Sequence, residues 1–256
     1  LYGRTASRQA LPEAQRQLVE ELAAQYPAYL NSLGLARPDG RALTADNYRD
    51  YIKELLIESA QAAKDAGASI PDTLGFSFSA EAAFQAPING GVGRGMRRGA
   101  PQQGEYITGL DLEKYLNYVV TTQPLKGVPA FDSYQVDGAE ASGENGLFGD
   151  ARGSDANFTP WAAGKTGAKL SAELLERVRL MNPMGFIGDA QATNAPYWYL
   201  RHGARDRDTA FPIVINLAAQ LRKHGRAVDF KLPWNRPHSG DYALNELFAW
   251  LKGITR

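Results

Sequence analysis

Residues 197–200, YWYL, and residues 227–232, AVDFKL, are the two stretches that decide the fold of this chain. The first starts straight after a proline and the second stops at one, and both have the aromatic and apolar composition of β-strands. Between them, Ile213, Leu217 and Leu221 recur every four residues, which is typical of one helix face. The order strand, helix, strand predicts a parallel pair of strands joined by a helical crossover.

Two carboxylates and an imidazole follow these predicted strands. Asp206 and Asp208 lie in the polar turn after the first strand, and His238 lies in the loop after the second. Because the loops that follow parallel strands meet at one edge of the sheet, we expect Asp206 or Asp208 to lie near His238. An acid after one strand and a histidine after the next is how an α/β-hydrolase ends, in the triad order Ser, Asp, His.

The composition excludes several classes of protein. The chain has 256 residues, of which 28 are basic and 28 acidic, so it offers no electrostatic argument for binding nucleic acid or an anionic membrane. It has no apolar run long enough to span a bilayer. It has no cysteine, which excludes disulfides and thiolate metal sites and leaves the compartment unreadable. Because it begins at Leu1 rather than at methionine, we expect a processed or truncated piece.

The part of the chain before these strands has a different pattern. Thr44, Thr108 and Ser171 each precede an apolar helical stripe, and each is predicted to cap a helix. Long loops separate these helices, and few segments have strand character. The first 180 residues therefore predict an inserted, largely helical and loop-rich region rather than alternating strands and helices.

His238 is the strongest candidate for chemistry. It has the position of a general base that takes a serine proton, and Asp206 has the position of the acid that orients it. The alternatives are a surface histidine and a carboxylate that favours the start of the next helix. His202 is a weaker competitor for the base, and His224 falls where a helix C-terminus favours a cation.

The nucleophile is missing from the sequence. No Gly-x-Ser-x-Gly elbow occurs, Ser239 adjoins the histidine too closely, and Ser142 and Ser154 lack a strand–turn–helix context. Three scattered histidines give no metal-ligand spacing, so we predict neither a metal nor another cofactor.

Four C-terminal segments carry a resemblance to a known family. They are WYLRHG with RDRDT within 198–209, VDF with LPW within 228–234, PHSGDY at 237–242 and ELFAW at 246–250. These segments resemble the C-terminal end of bacterial tannases, which are tannin acyl hydrolases of the α/β-hydrolase superfamily related to feruloyl esterases. The match is dense over residues 181–256 and continues more patchily upstream.

The resemblance implies an α/β fold in which residues 1–182 form a lid domain and residues 183–256 form the C-terminal part of the α/β-hydrolase core. It also implies a partner segment. The nucleophilic serine would lie upstream of Leu1, on another chain or on a removed segment, so this chain alone should have no triad activity.

The resemblance also assigns roles to single residues. Asp206 resembles the triad acid and His238 the triad base of a reaction that passes through an acyl-serine intermediate. Lys126, Glu144 and Asp208 resemble the residues that bind the hydroxyls of a galloyl ring. The substrate implied is a small galloyl or aryl ester.

The ring-binding set makes chemical sense. Two carboxylates accept hydrogen bonds from phenolic hydroxyls, and an ammonium group donates one. Glu140 is a rival for the glutamate, and the Gly-Glu-Asn context favours Glu144. Surface charge on a loop is the alternative for all of these residues.

Two other functions stay open. One is a feruloyl or general aryl esterase with the same triad and different ring contacts. The other is a fragment that binds a ligand without catalysis, which would be favoured if no companion segment carried a serine elbow.

We predict that Lys126→Ala weakens the turnover of gallate esters far more than the turnover of simple aryl esters. A site built to pair substrate hydroxyls discriminates against esters that lack them. Steady-state kinetics on both substrate classes test this prediction, and equal losses on the two classes would contradict it.

Overall fold

The structure, a computed structural model, describes residues 13–79, 106–122 and 131–255. In these ranges the chain forms eight α-helices and three two-stranded sheets. The helices are α1 (Glu13–Ser32), α2 (Tyr48–Asp65), α3 (Leu112–Thr122), α4 (Gly143–Leu147), α5 (Pro160–Thr166), α6 (Ala172–Met181), α7 (Phe211–Lys223) and α8 (Leu244–Ile254). The strands are β1 (Leu35–Ala36), β2 (Ala42–Leu43), β3 (Phe76–Ser79), β4 (Tyr106–Leu110), β5 (Tyr197–Arg201) and β6 (Ala227–Lys231).

The described residues form two compact units. The first unit contains residues 25–79, 106–122 and 195–255, and the second contains residues 13–24 and 131–194. The predicted division into a lid and a hydrolase core rests on the family resemblance and stays a prediction.

The decisive strands pair as predicted. β5 and β6 are parallel, with Tyr197 opposite Ala227 and Arg201 opposite Lys231. Helix α7 connects them and packs against β6. Parallel strands need such a crossover, because the chain must return to the starting edge before it can run in the same direction again. The carboxyl ends of both strands therefore lie at one edge of this sheet.

The buried face of α7 differs from the predicted one. The sequence predicts that Ile213, Leu217 and Leu221 lie on one face of this helix. In the structure, however, Ile213 is 63% exposed. A helix turns about 100° per residue, so a strict spacing of four drifts by about 40° at each step. The series therefore crosses from the outer face to the inner one. The buried apolar face contains Phe211, Val214, Ile215, Ala218 and Ala219.

Two of the predicted helix caps are wrong. Helix α2 starts after Asn47, whose Oδ1 accepts the backbone N–H of Thr44 at 3.0 Å, so Thr44 is the bonded partner and not the cap. Thr108 lies within β4, and Asp111 makes the capping contact at the start of α3. The third prediction is confirmed, because the Ser171 side chain caps α6.

The core of the first unit fixes the helices relative to the parallel sheet. Side chains of α2, α3, β3 and β4 share one buried cluster with side chains of α7 and β6. Tyr48 on α2 and Tyr115 on α3 are completely buried in it, beside Phe230 of β6. Helix α3 is thereby packed within the same core as the strands that end at the loops described below.

The sheet and α8 leave apolar and hydrogen-bonding surface uncovered. Among the described residues, β5 pairs with β6 alone, so its second edge has no strand partner there. Helix α8 leaves Leu244, Phe248 and Leu251 exposed. Within the described ranges, no helix has the length and apolar content that crossing a bilayer requires.

Candidate active site

The structure brings Asp206 and His238 together. The Nδ1 of His238 lies 2.9 Å from Oδ2 of Asp206, which is hydrogen-bonding distance. Asp206 follows β5 and His238 follows β6, so the parallel pairing of the strands places both loops at the same edge. This is the contact that the order of strands predicted.

The Asp206 carboxylate is held on both of its oxygens. Oδ1 accepts the backbone N–H groups of Asp208 at 2.8 Å and Thr209 at 3.0 Å. The side chain is only 5% exposed, so these bonds replace the water that burial removes. With Oδ1 fixed by backbone, Oδ2 has a defined position from which to accept the imidazole N–H.

The His238 ring is anchored at one nitrogen and open to its surroundings. Its side chain is 60% exposed, and its hydrogen-bond partner is Asp206. A carboxylate accepts hydrogen bonds, so it selects the tautomer that carries the proton on Nδ1. The lone pair is then on Nε2, which is the arrangement that a general base needs.

Backbone contacts join the two loops. The N–H of Ala204 donates to the carbonyl of Pro233, and the N–H of Arg205 donates to the carbonyl of Arg236, each at 3.0 Å. A Cβ on Gly203 would lie 2.2 Å from the carbonyl oxygen of Arg236, so this approach requires glycine. The loops are therefore in direct backbone contact just before Asp206 and His238.

His202 lies against Asp206 and the turn that follows it. It is buried, and its Nε2 lies 3.0 Å from the carbonyl oxygen of Thr209 and 3.6 Å from Oδ2 of Asp206. Its Nδ1 lies 3.1 Å from the carbonyl of Gly203. Burial lowers the pKa of His202, and it outweighs the raising effects of Asp206 and of the two carbonyls. A neutral ring carries its single proton best on Nε2, which faces two acceptors.

Asp208 lies beside the pair. Its side chain is half-buried, and the Nε of Arg207 lies 3.7 Å from its Oδ1. One ligand atom each from Asp206, Asp208 and His238 falls within 4.8 Å of the others. Both oxygens of Asp206 already accept hydrogen bonds from the protein, and acidic groups often gather without an ion. The prediction that no metal is needed stays a prediction.

Glu144 lies in the second unit, on a firmly anchored turn. The adjacent Asn145 is completely buried and forms a capping box with Ser142 at the start of α4. Asn145 Nδ2 also donates to Asp132 at 2.9 Å. Glu144 is half-buried on this fixed turn, whereas Glu140 is exposed in an irregular segment. A residue that binds a substrate hydroxyl needs such support, which favours Glu144 over Glu140.

Lys126 lies outside the described residues, so its position relative to the other candidates stays a prediction.

The serines that the sequence offered have other roles. Ser142 Oγ caps α4, and Ser239 Oγ accepts the backbone N–H of Asp241 at 3.3 Å. Ser154 is exposed in a loop. In the part of the chain that the structure describes, no serine hydroxyl is hydrogen-bonded to His238.

Sequence reasoning missed the supporting groups. Gly203 carries a detectable signal, because a glycine close to a strand often marks a close approach of backbones. The sequence predicts His202 only as a weaker competitor for the base, whereas the structure places it against Asp206 and the turn. Nothing in the local pattern distinguishes these two functions of a histidine.

Comparisons with known proteins agree on one group of enzymes. The native structure of tannin acyl hydrolase from Lactobacillus plantarum matches 96% of this chain with a TM-score of 0.76 and 35% identity. The tannase of Fusobacterium nucleatum matches 96% of it with a TM-score of 0.72 and 26% identity. A tannin acyl hydrolase solved in complex with ethyl gallate matches 96% of it with a TM-score of 0.75 and 35% identity.

The matches cover only part of those proteins. The chain spans 48%, 47% and 48% of the three structures respectively, which is about half of their length. No family model matches the chain, and no curated protein sequence matches it.

We predict that Gly203→Ala breaks the contact between Asp206 and His238. The added methyl would meet the Arg236 carbonyl at 2.2 Å, so the loops must separate, at a cost of about 1–3 kcal/mol of unfolding free energy. The proton shared by His238 Nδ1 and Asp206 should give a low-field resonance in the proton NMR spectrum, and the variant should lose it.

Gly240→Ala is the matched control, because a Cβ at Gly240 meets nothing within 4 Å. It should keep the resonance and change stability by less than about 0.5 kcal/mol. A Gly203→Ala variant with an unchanged resonance would contradict the proposed close approach.

We predict that acid weakens the fold through His202. Its pKa in the folded chain is lowered by burial, so the unfolded chain binds the proton more readily. The stability that this histidine contributes is present above its unfolded pKa of about 6.5, and it is lost as the pH falls below that value. Urea unfolding between pH 7.5 and pH 5 measures the slope, which one such group limits to about 1.4 kcal/mol per pH unit.

His202→Gln should flatten this slope. A slope that survives His202→Gln unchanged would assign the acid sensitivity to other groups.

Proposed function

Because this chain is tannase-like over nearly its whole length, we propose that it supplies the acid and the base of a serine esterase that hydrolyses galloyl esters. Asp206 is the acid and His238 is the base. The nucleophilic serine is supplied by a further segment that corresponds to the N-terminal part of a tannase. The chain together with that segment is called the complete enzyme below.

The contact between Asp206 Oδ2 and His238 Nδ1 is the observation that carries this proposal. A buried carboxylate that fixes an exposed imidazole through Nδ1 leaves Nε2 as a base of defined orientation. The pair follows consecutive parallel strands, which is the order in which an α/β-hydrolase presents its acid and its histidine.

Two features support the need for a further segment. The chain spans about half of the tannase structures that it matches, at 47–48% of their length. In addition, β5 lacks a strand partner on one edge within the described residues, and α8 exposes Leu244, Phe248 and Leu251. A two-stranded parallel sheet is marginal alone, so a further strand and a covering surface would complete it.

The proposed reaction has two steps. Nε2 of His238 takes the hydroxyl proton of the serine as its oxygen attacks the ester carbonyl, and the imidazolium then protonates the departing alcohol. A water molecule next attacks the acyl-serine while His238 removes one of its protons. The imidazolium then returns that proton to the serine oxygen as the bond from this oxygen to the acyl carbon breaks, which releases the free acid and the serine. Asp206 stabilises the imidazolium in both steps and itself stays ionised.

Recognition of the ring is assigned to Lys126, Glu144 and Asp208. Asp208 is favoured by its position two residues after the acid, where its backbone N–H already bonds to Asp206. A carboxylate in that place can accept a hydrogen bond from a ring hydroxyl while the ester lies beside His238. Glu144 is favoured by its anchored turn in the second unit.

The test is performed on the complete enzyme with methyl gallate as substrate. Asp206→Asn should lower kcat by about 10⁴-fold, because the amide supports the wrong tautomer of His238. Asp65→Asn, which changes an exposed carboxylate at the end of α2, should leave kcat unchanged. A fluorophosphonate should label one serine outside this chain.

Wild-type turnover by the Asp206→Asn variant would overturn the assignment of the acid. Labelling of no serine would overturn the acyl-enzyme mechanism. Faster turnover of methyl ferulate than of methyl gallate would keep the triad but replace the proposed substrate class with hydroxycinnamoyl esters.

A further inference from the structure

Two tyrosine hydroxyls of α3 reach the two loops that carry Asp206 and His238. Tyr115 donates its hydroxyl proton to the backbone carbonyl of Ala204 at 2.6 Å. Tyr118 donates its hydroxyl proton to Oδ1 of Asn235 at 2.7 Å. Ala204 lies two residues before Asp206, and Asn235 lies three residues before His238. One helix is thus bonded to both loops, immediately upstream of the two functional side chains.

The spacing of the tyrosines makes this double contact possible. Residues three apart lie on the same face of a helix, one turn above the other, so Tyr115 and Tyr118 present their hydroxyls side by side. Their rings are 6.2 Å apart. The two loops are themselves in backbone contact, so a single helix face can reach both of them.

Each contact has a feature that suits a positioning role. Tyr115 is completely buried, and burial raises the pKa of its hydroxyl, so this group stays a protonated donor. Asn235 adopts a left-handed backbone conformation with φ of 53°, which makes its segment a tight turn rather than an extended loop. The Tyr118 hydroxyl donates to the side chain of Asn235, and this hydrogen bond stabilises the turn conformation.

An aromatic cluster supports the same arrangement. The Trp234 ring, in the histidine loop, lies 6.1 Å from the ring of Tyr115 and 5.5 Å from the ring of Phe76. Such edge-to-face and tilted contacts are directional, so they resist sliding of the loop over α3. The histidine loop is therefore held by a side-chain hydrogen bond from α3 and by ring packing against α3 and β3.

We propose that Tyr115 and Tyr118 are positioning residues, whose hydroxyls hold the acid loop and the histidine loop at the separation that the Asp206–His238 contact needs. This inference rests on the proposed roles of Asp206 and His238. Neither tyrosine takes part in proton transfer. Their effect is on the fraction of molecules in which His238 Nδ1 meets Asp206.

Tyr118→Phe is the primary test, and Tyr48→Phe is its matched control. Tyr48 is buried in the first unit, whereas Tyr118 is half-buried, and the Tyr48 hydroxyl likewise donates to an asparagine Oδ1, that of Asn216, at 2.7 Å. Both variants lose a hydroxyl that donates to an asparagine side chain, and the bond lost from Tyr48 is the more buried of the two, so Tyr48→Phe is the stricter control for a general loss of packing. Only Tyr118→Phe should lower kcat of the complete enzyme on methyl gallate, by about tenfold with KM nearly unchanged.

A second variant removes the other half of the bond. Asn235→Gly keeps the left-handed backbone accessible but deletes the acceptor. It should reproduce the loss in Tyr118→Phe, and the double variant should lose no more than either single variant. Tyr115→Phe should lower kcat by a comparable factor.

The low-field resonance of the proton on His238 Nδ1 separates this inference from the proposed function. It is recorded on the 256-residue chain and on the complete enzyme, and it requires neither serine nor substrate. We expect it to broaden or disappear in Tyr118→Phe and Asn235→Gly and to persist in Tyr48→Phe. If the resonance behaves so while Asp206→Asn leaves turnover intact, the positioning role stands and the esterase assignment fails.

If Asp206→Asn abolishes turnover but Tyr118→Phe and Asn235→Gly keep both the resonance and kcat of the wild type, the positioning role is overturned. Equal effects of Tyr118→Phe and Tyr48→Phe on both measurements would also overturn it, because a general loss of packing would then suffice.

Discussion

The close backbone approach of the loops after β5 and β6 is the constraint on which the site depends. A parallel pair places its two carboxyl-terminal loops at one edge, but neighbouring strands alone leave two loops free to diverge. Here Gly203 has no side chain to hold the Arg236 carbonyl away, and backbone N–H groups of residues 204 and 205 bond across the gap. Asp206 and His238 follow directly, which is how two residues distant in sequence come within 2.9 Å.

The two side chains of the pair differ in their exposure to solvent. Asp206 can be withdrawn from water because backbone donors satisfy one oxygen and the imidazole satisfies the other. His238 stays exposed, so it keeps access to a reacting group. In the proposed reaction this combination is useful, because a rigid Asp206 sets the orientation of the His238 ring without competing for the substrate's protons.

In the second unit, hydrogen bonds to a buried carboxylate fix the turn that carries Glu144. The buried carboxylate of Asp132 accepts hydrogen bonds from Asn145, Asn157 and Thr159, and so joins helix α4, the start of helix α5 and the loop between them. Its core is small, with Leu18, Val136 and Ala162 at its centre, which makes this polar network the main organiser of the loops. Glu144 is held next to it, so a loop-rich region can still present a side chain at a fixed place.

The sequence by itself determined the parallel strands, the crossover helix and the pairing of an acid with a histidine, because these follow from period, turn residues and the handedness of connections. It also pointed to the tannases, which the structural matches bear out. It did not determine which face of α7 is buried, where α2 and α3 start, or that His202 supports Asp206. Those features depend on contacts between segments far apart in the chain. Tyr115 bonds to a residue 89 positions away, and Tyr118 bonds to a residue 117 positions away. Only the tertiary structure decides such contacts, because no local sequence pattern shows which distant group a tyrosine hydroxyl will meet.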